Sequence, residues 1–186
     1  MPESEKSRPE GSDEGLDARF EDFYKAHFRH VSRSAGLVVG DSEEAFDITQ
    51  EAFARTWLEW GRIMGWERPE LFTFKVAGNL ARNHLRRRRL WLRRLPQLSG
   101  RPESDSTGSA IETRFTVQEA LQTLSARQRL AIVLCDGSGF GQDEVASILG
   151  IRPSTLRVHL ARARARLRAV LTDRETGAPE SSPGSG

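Results

Sequence analysis

An arginine-rich segment of the chain offers the clearest chemistry. Between Arg152 and Arg168 there are six arginines and no acidic residue. Just upstream, Gly150 can end one helix in the left-handed conformation and Pro153 can open the next at its first position. Two short helices that meet at a sharp turn, the second one basic, are typical of a helix-turn-helix that enters a groove of DNA. The alternatives are a solvated amphipathic helix rich in arginine and an ordinary helical hairpin.

A second basic segment lies in the first half of the chain. Seven arginines fall between Arg82 and Arg94, again without an acidic residue, and they repel one another unless an anion is bound. Asn79 lies just before this run and Asn83 lies within it, one helical turn farther on. Asparagine can hydrogen-bond base edges. The alternatives are a helix end whose cations complement the helix dipole, and asparagines that are merely exposed.

The sequence offers little for catalysis. The histidines are scattered and no glycine loop of the phosphate-cradling type occurs. Asp47 and Glu51 lie one turn apart, but helix surfaces present such pairs routinely. We therefore predict no catalytic residue, no metal site and no cofactor. The four histidines are His27, His30, His84 and His159.

Charge is distributed unevenly along the chain. Residues 1–18 hold two basic and six acidic groups, residues 19–95 fifteen and ten, and residues 114–174 ten and five. Two segments are therefore each near +5 although the formal net charge of the chain is only +2, which favours a polyanionic partner such as nucleic acid. The single cysteine, Cys135, excludes an intramolecular disulfide. Without a signal core or a membrane-length apolar run, we expect a cytoplasmic protein with no membrane insertion.

Composition and periodicity predict an all-α protein of two small helical domains joined by a flexible linker. Turn-forming and polar residues mark 1–15 and 175–186 as disordered tails and 96–113 as the linker. The predicted domains are then 16–95 and 114–174. Fully extended, the linker could reach about 60 Å at ~3.3 Å per residue, comparable to roughly 17 base pairs.

Several helix ends are also predicted. Asp41, with Glu44 three residues on, fits an N-cap, and the helix it opens extends to about Trp60. Another helix opens near Pro69 and continues into the arginine run. Ser125 begins a further capped helix.

Three segments follow one another along the chain: DITQEAFARTW from Asp47 to Trp57, FKVAGNLARNHLRR from Phe74 to Arg87, and the segment from Leu124 to Leu167. In this order they resemble the extracytoplasmic-function (ECF) group of bacterial sigma factors, the smallest members of the sigma-70 family. The first looks like the region-two motif that binds core polymerase, the second resembles the promoter-melting helix, and the third is similar to region four.

The resemblance implies an initiation factor that binds bacterial core RNA polymerase and promoter DNA, performs no catalysis, and can have an anti-sigma factor as a further partner. It assigns three groups of residues. Docking on the polymerase clamp helices falls to Asp47, Gln50, Glu51 and Phe53. The minus-ten element is assigned to Asn79, Asn83, Arg86 and Arg87. The minus-thirty-five element is assigned to Ser154, Thr155, Arg157, Val158, His159 and Arg162.

Aromatic residues could also meet melted DNA, because unpaired bases stack on flat side chains. Trp60 and Trp66 flank the loop before the third helix, whereas we expect Trp57 in the core. Two rival functions remain at this stage. One is a stand-alone helix-turn-helix regulator, which would not need the DITQEAF helix. The other is an enzyme acting on nucleic acid, which would need a metal or nucleophile cluster.

Overall fold

The computed structural model describes residues 11–94 and 117–176, and every regular element in these two ranges is helical. The predicted linker, 96–113, lies outside the described residues. In chain order the helices are α1 (Gly11–Val39), α2 (Ser42–Leu58), α3 (Trp60–Ile63), α4 (Glu70–Arg94), α5 (117–122), α6 (Ala126–Ile132), α7 (Gln142–Leu149) and α8 (Pro153–Thr176), with a π-helical turn (Val133–Gly137) directly after α6.

Local sequence signals set most helix ends where they were predicted. The Asp41 carboxylate accepts hydrogen bonds from the backbone N–H groups of Glu43 and Glu44, at 2.9 and 3.0 Å. Ser125 forms a reciprocal capping box with Gln128. Gly150 ends α7 with φ +63°, a conformation that costs glycine little. These predictions are confirmed.

Three boundaries differ from the predictions. Helix α1 already begins at Gly11, so part of the predicted tail 1–15 is helical, while residues 1–10 lie outside the described range. Helix α2 ends at Leu58 because Glu59 leaves the helical conformation and its N–H bonds back to Thr56, after which α3 forms a separate turn. Helix α8 continues to Thr176, and the remainder of the second predicted tail lies outside the described residues.

Helices α1, α2 and α4 form the first bundle. An aromatic cluster from α1 and α2 fills one end of it, and Phe53 touches Phe20, Phe23 and Tyr24 within it. Farther along, the Thr56 and Thr73 hydroxyls lie 3.0 Å apart and join α2 to α4. Both hydroxyls are buried, so this pairing satisfies groups that would otherwise be costly in the core.

The second segment, α5–α8, packs directly on the first, and one hydrophobic core runs through both. A groove between α1 and α4 is lined by small side chains and accepts Leu130 and Leu134 from the second segment. Leu130 lies against Gly78, where an added Cβ would be in van der Waals contact with the Leu130 Cδ2 atom at 3.6 Å and a larger side chain would collide with it. Small residues at this point therefore let α6 approach the first bundle. The small residues of the groove are Ser34, Ala35, Ala77, Gly78 and Ala81.

Arg129 crosses this junction although it is only 5% exposed. Its Nη1 atom donates to the backbone carbonyl of Val38 at 2.5 Å and to Gln122 Oε1 at 2.6 Å, while Nη2 donates to the carbonyls of Gln122 and Leu124. Burial, followed by repulsion from Arg89 and Arg88, lowers the pKa of Arg129 to about 10. The guanidinium thus remains charged at neutral pH, and its hydrogen bonds offset part of its desolvation.

Candidate nucleic-acid interface

Helix α8 presents the residues predicted for the minus-thirty-five element. Leu156, Leu160 and Ala163 are buried against the rest of the second segment, and this leaves the opposite face of the helix open. The side chains on that face begin at the first turn, where a recognition helix reaches base edges. The exposed members are Ser154, Thr155, Arg157, Val158 and Arg162, and His159 is half-buried.

The arginines of α8 are not equivalent. Arg164 forms a two-pronged ion pair with Asp136 of the π-helical turn, with N–O distances of 3.0 and 2.7 Å. No such partner is present for Arg157 or Arg162 in the described ranges. Arg164 therefore fixes α8 to the π-helical turn, whereas Arg157 and Arg162 are available to an outside ligand.

His159 lies beside these cations. Its pKa is lowered, mainly by partial burial and further by repulsion from Arg127 and Arg162. The imidazole is accordingly neutral at physiological pH and offers one donor and one acceptor. A neutral side chain of this kind is suited to a base edge more than to a phosphate.

Helix α4 presents the residues predicted for the minus-ten element on its outer side. Its inner side, with Phe74, Ala77 and Gly78, is buried. Asn79 and Asn83 are half-buried at the edge, and Arg82 donates to Asn79 Oδ1 at 2.9 Å. This bond orients the Asn79 amide and leaves its N–H groups available. Farther along, Arg86 and Arg87 are exposed.

The predicted polymerase-binding residues divide into two groups. Asp47, Gln50 and Glu51 are exposed on α2, and Glu51 pairs with Arg55 at 2.7 Å. Phe53 is only 2% exposed, so it belongs to the core and cannot itself form part of a docking surface. The helical period explains this difference, because residue 53 lies on the same face as the buried residues Thr49 and Ala52.

The tryptophans differ from the expectation. Trp60 is 5% exposed and lies in the core, whereas Trp57 is 39% exposed and rests against Phe20 with 4.9 Å between ring centroids. The break between α2 and α3 turns Trp60 inward. Trp66 is exposed as predicted, with the Arg62 guanidinium 5.6 Å from its ring centroid.

The residues that join the two segments were not predicted from the sequence. His30 of α1, Phe74 of α4 and Phe140 form a three-ring cluster. Phe74 meets both other rings edge to face, His30 at 5.0 Å and Phe140 at 4.7 Å, while the His30 and Phe140 rings lie nearly parallel, 6.0 Å apart. Arg68 bonds to Glu144 of α7 across the junction. One local signal could have predicted that Phe140 is buried: it is a large aromatic residue within a glycine-rich stretch.

Two family models match the chain. The model described as Sigma-70 region 2 matches residues 23–90, and the one described as Sigma-70, region 4 matches residues 114–167. The ECF RNA polymerase sigma factor SigM of Mycobacterium tuberculosis is 30% identical over 158 residues, covering 85% of this chain and 80% of the relative. The chain is an ECF RNA polymerase sigma factor.

Other similarities agree with this membership. The RNA polymerase sigma-E factor of Streptomyces coelicolor is 30% identical over 159 residues, covering 86% of this chain and 89% of the relative. The fold resembles that of the sigma factor RpoE, solved in complex with the anti-sigma factor NepR from Bartonella quintana. That match has a TM-score of 0.65 at 22% identity and covers 82% of this chain and 96% of the other.

Membership of the sigma-factor family favours this function over that of a stand-alone helix-turn-helix regulator, because such a regulator would not need region 2. Sigma factors are, in general, initiation factors without enzymatic activity. Within residues 11–94 and 117–176, no helix is long and apolar enough to cross a membrane. The same ranges contain no group of three His, Cys, Asp or Glu side chains placed to hold a metal ion.

Proposed function

We propose that this sigma factor docks on the clamp helices of core RNA polymerase through Asp47, Gln50 and Glu51 of α2. Their exposure on one flank of the helix supports this role. Gln50 is also held from the side, because the Tyr24 hydroxyl donates to Gln50 Oε1 at 3.2 Å. Phe53 contributes indirectly from the core, because its ring packs edge to face against the Tyr24 ring at 4.8 Å and so positions Tyr24.

The outer side of α4 then meets the minus-ten element. Asn79 and Asn83 contact bases as the duplex melts, and Arg86 and Arg87 neutralise nearby phosphates. The Arg82–Asn79 hydrogen bond supports this division of roles, since it occupies Asn79 Oδ1 and leaves the amide N–H groups as the donors available to a base. The outer face of α8 meets the minus-thirty-five element, with Arg157, Val158 and His159 at base edges. Ser154, Thr155 and Arg162 add phosphate or flanking contacts.

The two DNA-binding helices cannot serve both elements while the segments remain packed together. Helix α4 touches α6 and α7, which in turn pack on α8, so about two helix spacings, roughly 20 Å, separate the axes of α4 and α8. Elements centred near minus ten and minus thirty-five are roughly 25 base pairs, or about 85 Å, apart. Binding of a promoter therefore separates region 2 from region 4, and the 18-residue linker predicted from the sequence supplies the reach.

The sigma factor has no catalytic chemistry of its own in this scheme, because phosphodiester synthesis belongs to the polymerase. It acts in the cytoplasm, where core polymerase and the promoter are present. An anti-sigma factor is a further partner, supported by the complex reported for the similar Bartonella sigma factor.

The observation that carries the docking role is the exposure of Asp47 and Gln50 beside the buried Phe53. The test is reconstitution with bacterial core polymerase. Asp47→Asn combined with Gln50→Ala should weaken core binding about tenfold or more, since charged and amide contacts at an interface are each worth ~1 kcal/mol or more. Helicity measured by circular dichroism should be unchanged.

A second pair of substitutions separates docking from melting. Asn79→Ala with Asn83→Ala should leave core binding intact and reduce permanganate reactivity of promoter thymines in the open complex. Glu43→Gln, an exposed change at the start of α2, serves as the control for docking. Core binding that is insensitive to the Asp47 and Gln50 changes would refute the docking assignment.

A further inference from the structure

A shallow cleft of about 440 Å³ lies between the first half of α1 and the end of α2. Phe20, Tyr24 and Trp57 form its walls, and Asp17 and Glu21 stand at its rim. We call this the aromatic cleft. Phe20 is held by further ring packing, because it also meets Trp60 edge to face at 5.3 Å.

The aromatic cleft is acidic as well as aromatic. Lys25 pairs with Glu21 at 2.5 Å, but it points along the helix surface and is itself exposed. Asp17 has no cation partner in the described part of the chain. A carboxylate next to exposed ring faces provides two kinds of attraction for a planar cation.

The aromatic cleft is continuous with the proposed polymerase-docking surface. Tyr24 belongs to both, since its ring lines the cleft and its hydroxyl holds Gln50. Gln50 and Trp57 are seven residues apart on α2, which is two turns or about 10.5 Å along one face. A helix lying along α2 against Gln50 therefore passes the cleft two turns later.

We propose that the aromatic cleft receives an arginine side chain from the same core polymerase helix that docks on Gln50. A guanidinium can stack on Trp57 and Phe20 while it donates hydrogen bonds to Asp17. A purely apolar side chain would desolvate Asp17 and Glu21 without compensation. A lysine ammonium is more strongly hydrated and cannot stack as a plane. This inference rests on the proposed docking function and extends its surface onto α1.

The experiment measures the dissociation constant of fluorescently labelled full-length sigma factor for bacterial core polymerase at two salt concentrations. Trp57→Leu should raise the constant roughly 2- to 30-fold, the range of a cation–π contact. Asp17→Asn keeps the shape of the side chain and removes only its charge. It should raise the constant about 2- to 5-fold at low salt and less at high salt.

Matched controls of the same residue types are available in region 2. Asp22→Asn changes an exposed carboxylate of α1 outside the cleft, and Trp66→Leu removes an exposed tryptophan elsewhere. Both should bind like the parent. If Trp57→Leu alters the melting temperature, Trp57→Phe retains ring packing and should give an intermediate loss of affinity.

The outcomes distinguish this inference from the docking proposal itself. Normal binding by the Trp57 and Asp17 variants, together with weak binding by the Asp47 and Gln50 double variant, overturns the aromatic cleft and keeps the docking surface. Weak binding by Trp57→Leu with normal binding by Asp17→Asn overturns the proposal that an arginine occupies the cleft, and it indicates an apolar occupant instead. Equal losses in the Asp22 and Trp66 controls also overturn the inference.

Discussion

Helices α4 and α8 carry similar arginine-rich sequences, but they occupy different places in the fold. Helix α4 packs on α1 and α2 of its own segment and on α6 and α7 of the other. Helix α8 packs mainly on α6 and α7, and Arg164 pairs it with Asp136 of the π-helical turn, so these partners all lie in its own segment. The recognition helix is therefore complete within region 4, whereas the burial of α4 depends on both regions.

This difference separates two tasks. Region 4 can present its DNA-binding face whether or not the two regions are in contact. Separation of the regions, in contrast, exposes the inner edge of α4 and the groove that holds Leu130 and Leu134. Substitutions at the junction should thus change stability and domain separation, and substitutions on the exposed, unpaired face of α8 should change DNA binding alone.

The largest effect is expected at Arg129, which holds the junction together. Arg129→Ala leaves the carbonyls of Val38 and Leu124 without this donor and opens a cavity, so unfolding free energy should fall by about 3 kcal/mol or more. Denaturant titration followed by circular dichroism measures this. Arg127→Ala, two residues away and exposed, should change the free energy by less than about 0.5 kcal/mol. Similar losses of unfolding free energy in both variants would show that the Arg129 hydrogen bonds across the junction do not stabilise the protein.

A smaller and more specific effect is expected at Gly78. Gly78→Leu places branches where Leu130 Cδ2 now lies, which should cost about 1–3 kcal/mol of overpacking and shift the protein toward separated regions. Gly78→Ala adds only a Cβ at an ordinary contact distance of 3.6 Å and gains up to ~1 kcal/mol of helix propensity. Small-angle X-ray scattering should show a larger radius of gyration for the leucine variant only. An unchanged radius would contradict the role of this close approach.

Substitutions on α8 should affect DNA binding, in contrast to those at the junction. Arg157→Ala should cost about 1–3 kcal/mol on the cognate upstream element and reduce discrimination at one base position. Arg168→Ala should weaken binding slightly and evenly, because residue 168 lies three turns farther along the helix. Fluorescence anisotropy of the full chain against single-base variants at two salt concentrations checks both. A uniform loss with retained base preference would identify Arg157 as a phosphate contact.

The smallest effect is a pH dependence at the junction. Burial lowers the pKa of His30 from its ordinary value of 6.5. Repulsion from His27 and Arg33 lowers it further, while Glu70 opposes the shift. The folded protein then binds fewer protons at this site than the unfolded chain, so the stability that His30 provides is present above about pH 6.5 and is lost as the pH falls toward the folded pKa.

Thermal unfolding at pH 7.5 and 5.5 measures this dependence. His30 packs against the rings of Phe74 and Phe140, which also contact each other, and Arg68, whose guanidinium lies 5.3 Å from the Phe140 ring centroid, is paired with Glu70 and Glu144. His30→Asn should reduce the loss of stability on acidification without removing it, because burial also lowers the pKa of His27. An identical pH profile for parent and variant would assign the dependence to other groups.

Much of the fold followed from local sequence. Asp41, Ser125, Gly150 and Pro153 act within one helical turn of their own positions, so their effects could be predicted without knowing what packs against them. The exposed face of α8 was likewise predictable, because Leu156 and Leu160 mark its buried side. The choice between Trp57 and Trp60 was not, since it depends on a helix break at Glu59 that no strong breaker residue signals.

The sequence by itself determined that this is an all-α protein with two basic helices and a sigma-factor order of motifs, because helical periodicity, caps and charge runs are local properties. Only the tertiary structure decided that Phe53 is buried against Tyr24, that Arg164 is committed to Asp136, and that Arg129 binds the two regions together. Each of these depends on contacts between residues distant in sequence. Burial and pairing of a side chain are set by the partner that the fold brings to it, and that partner is not encoded in the neighbouring residues.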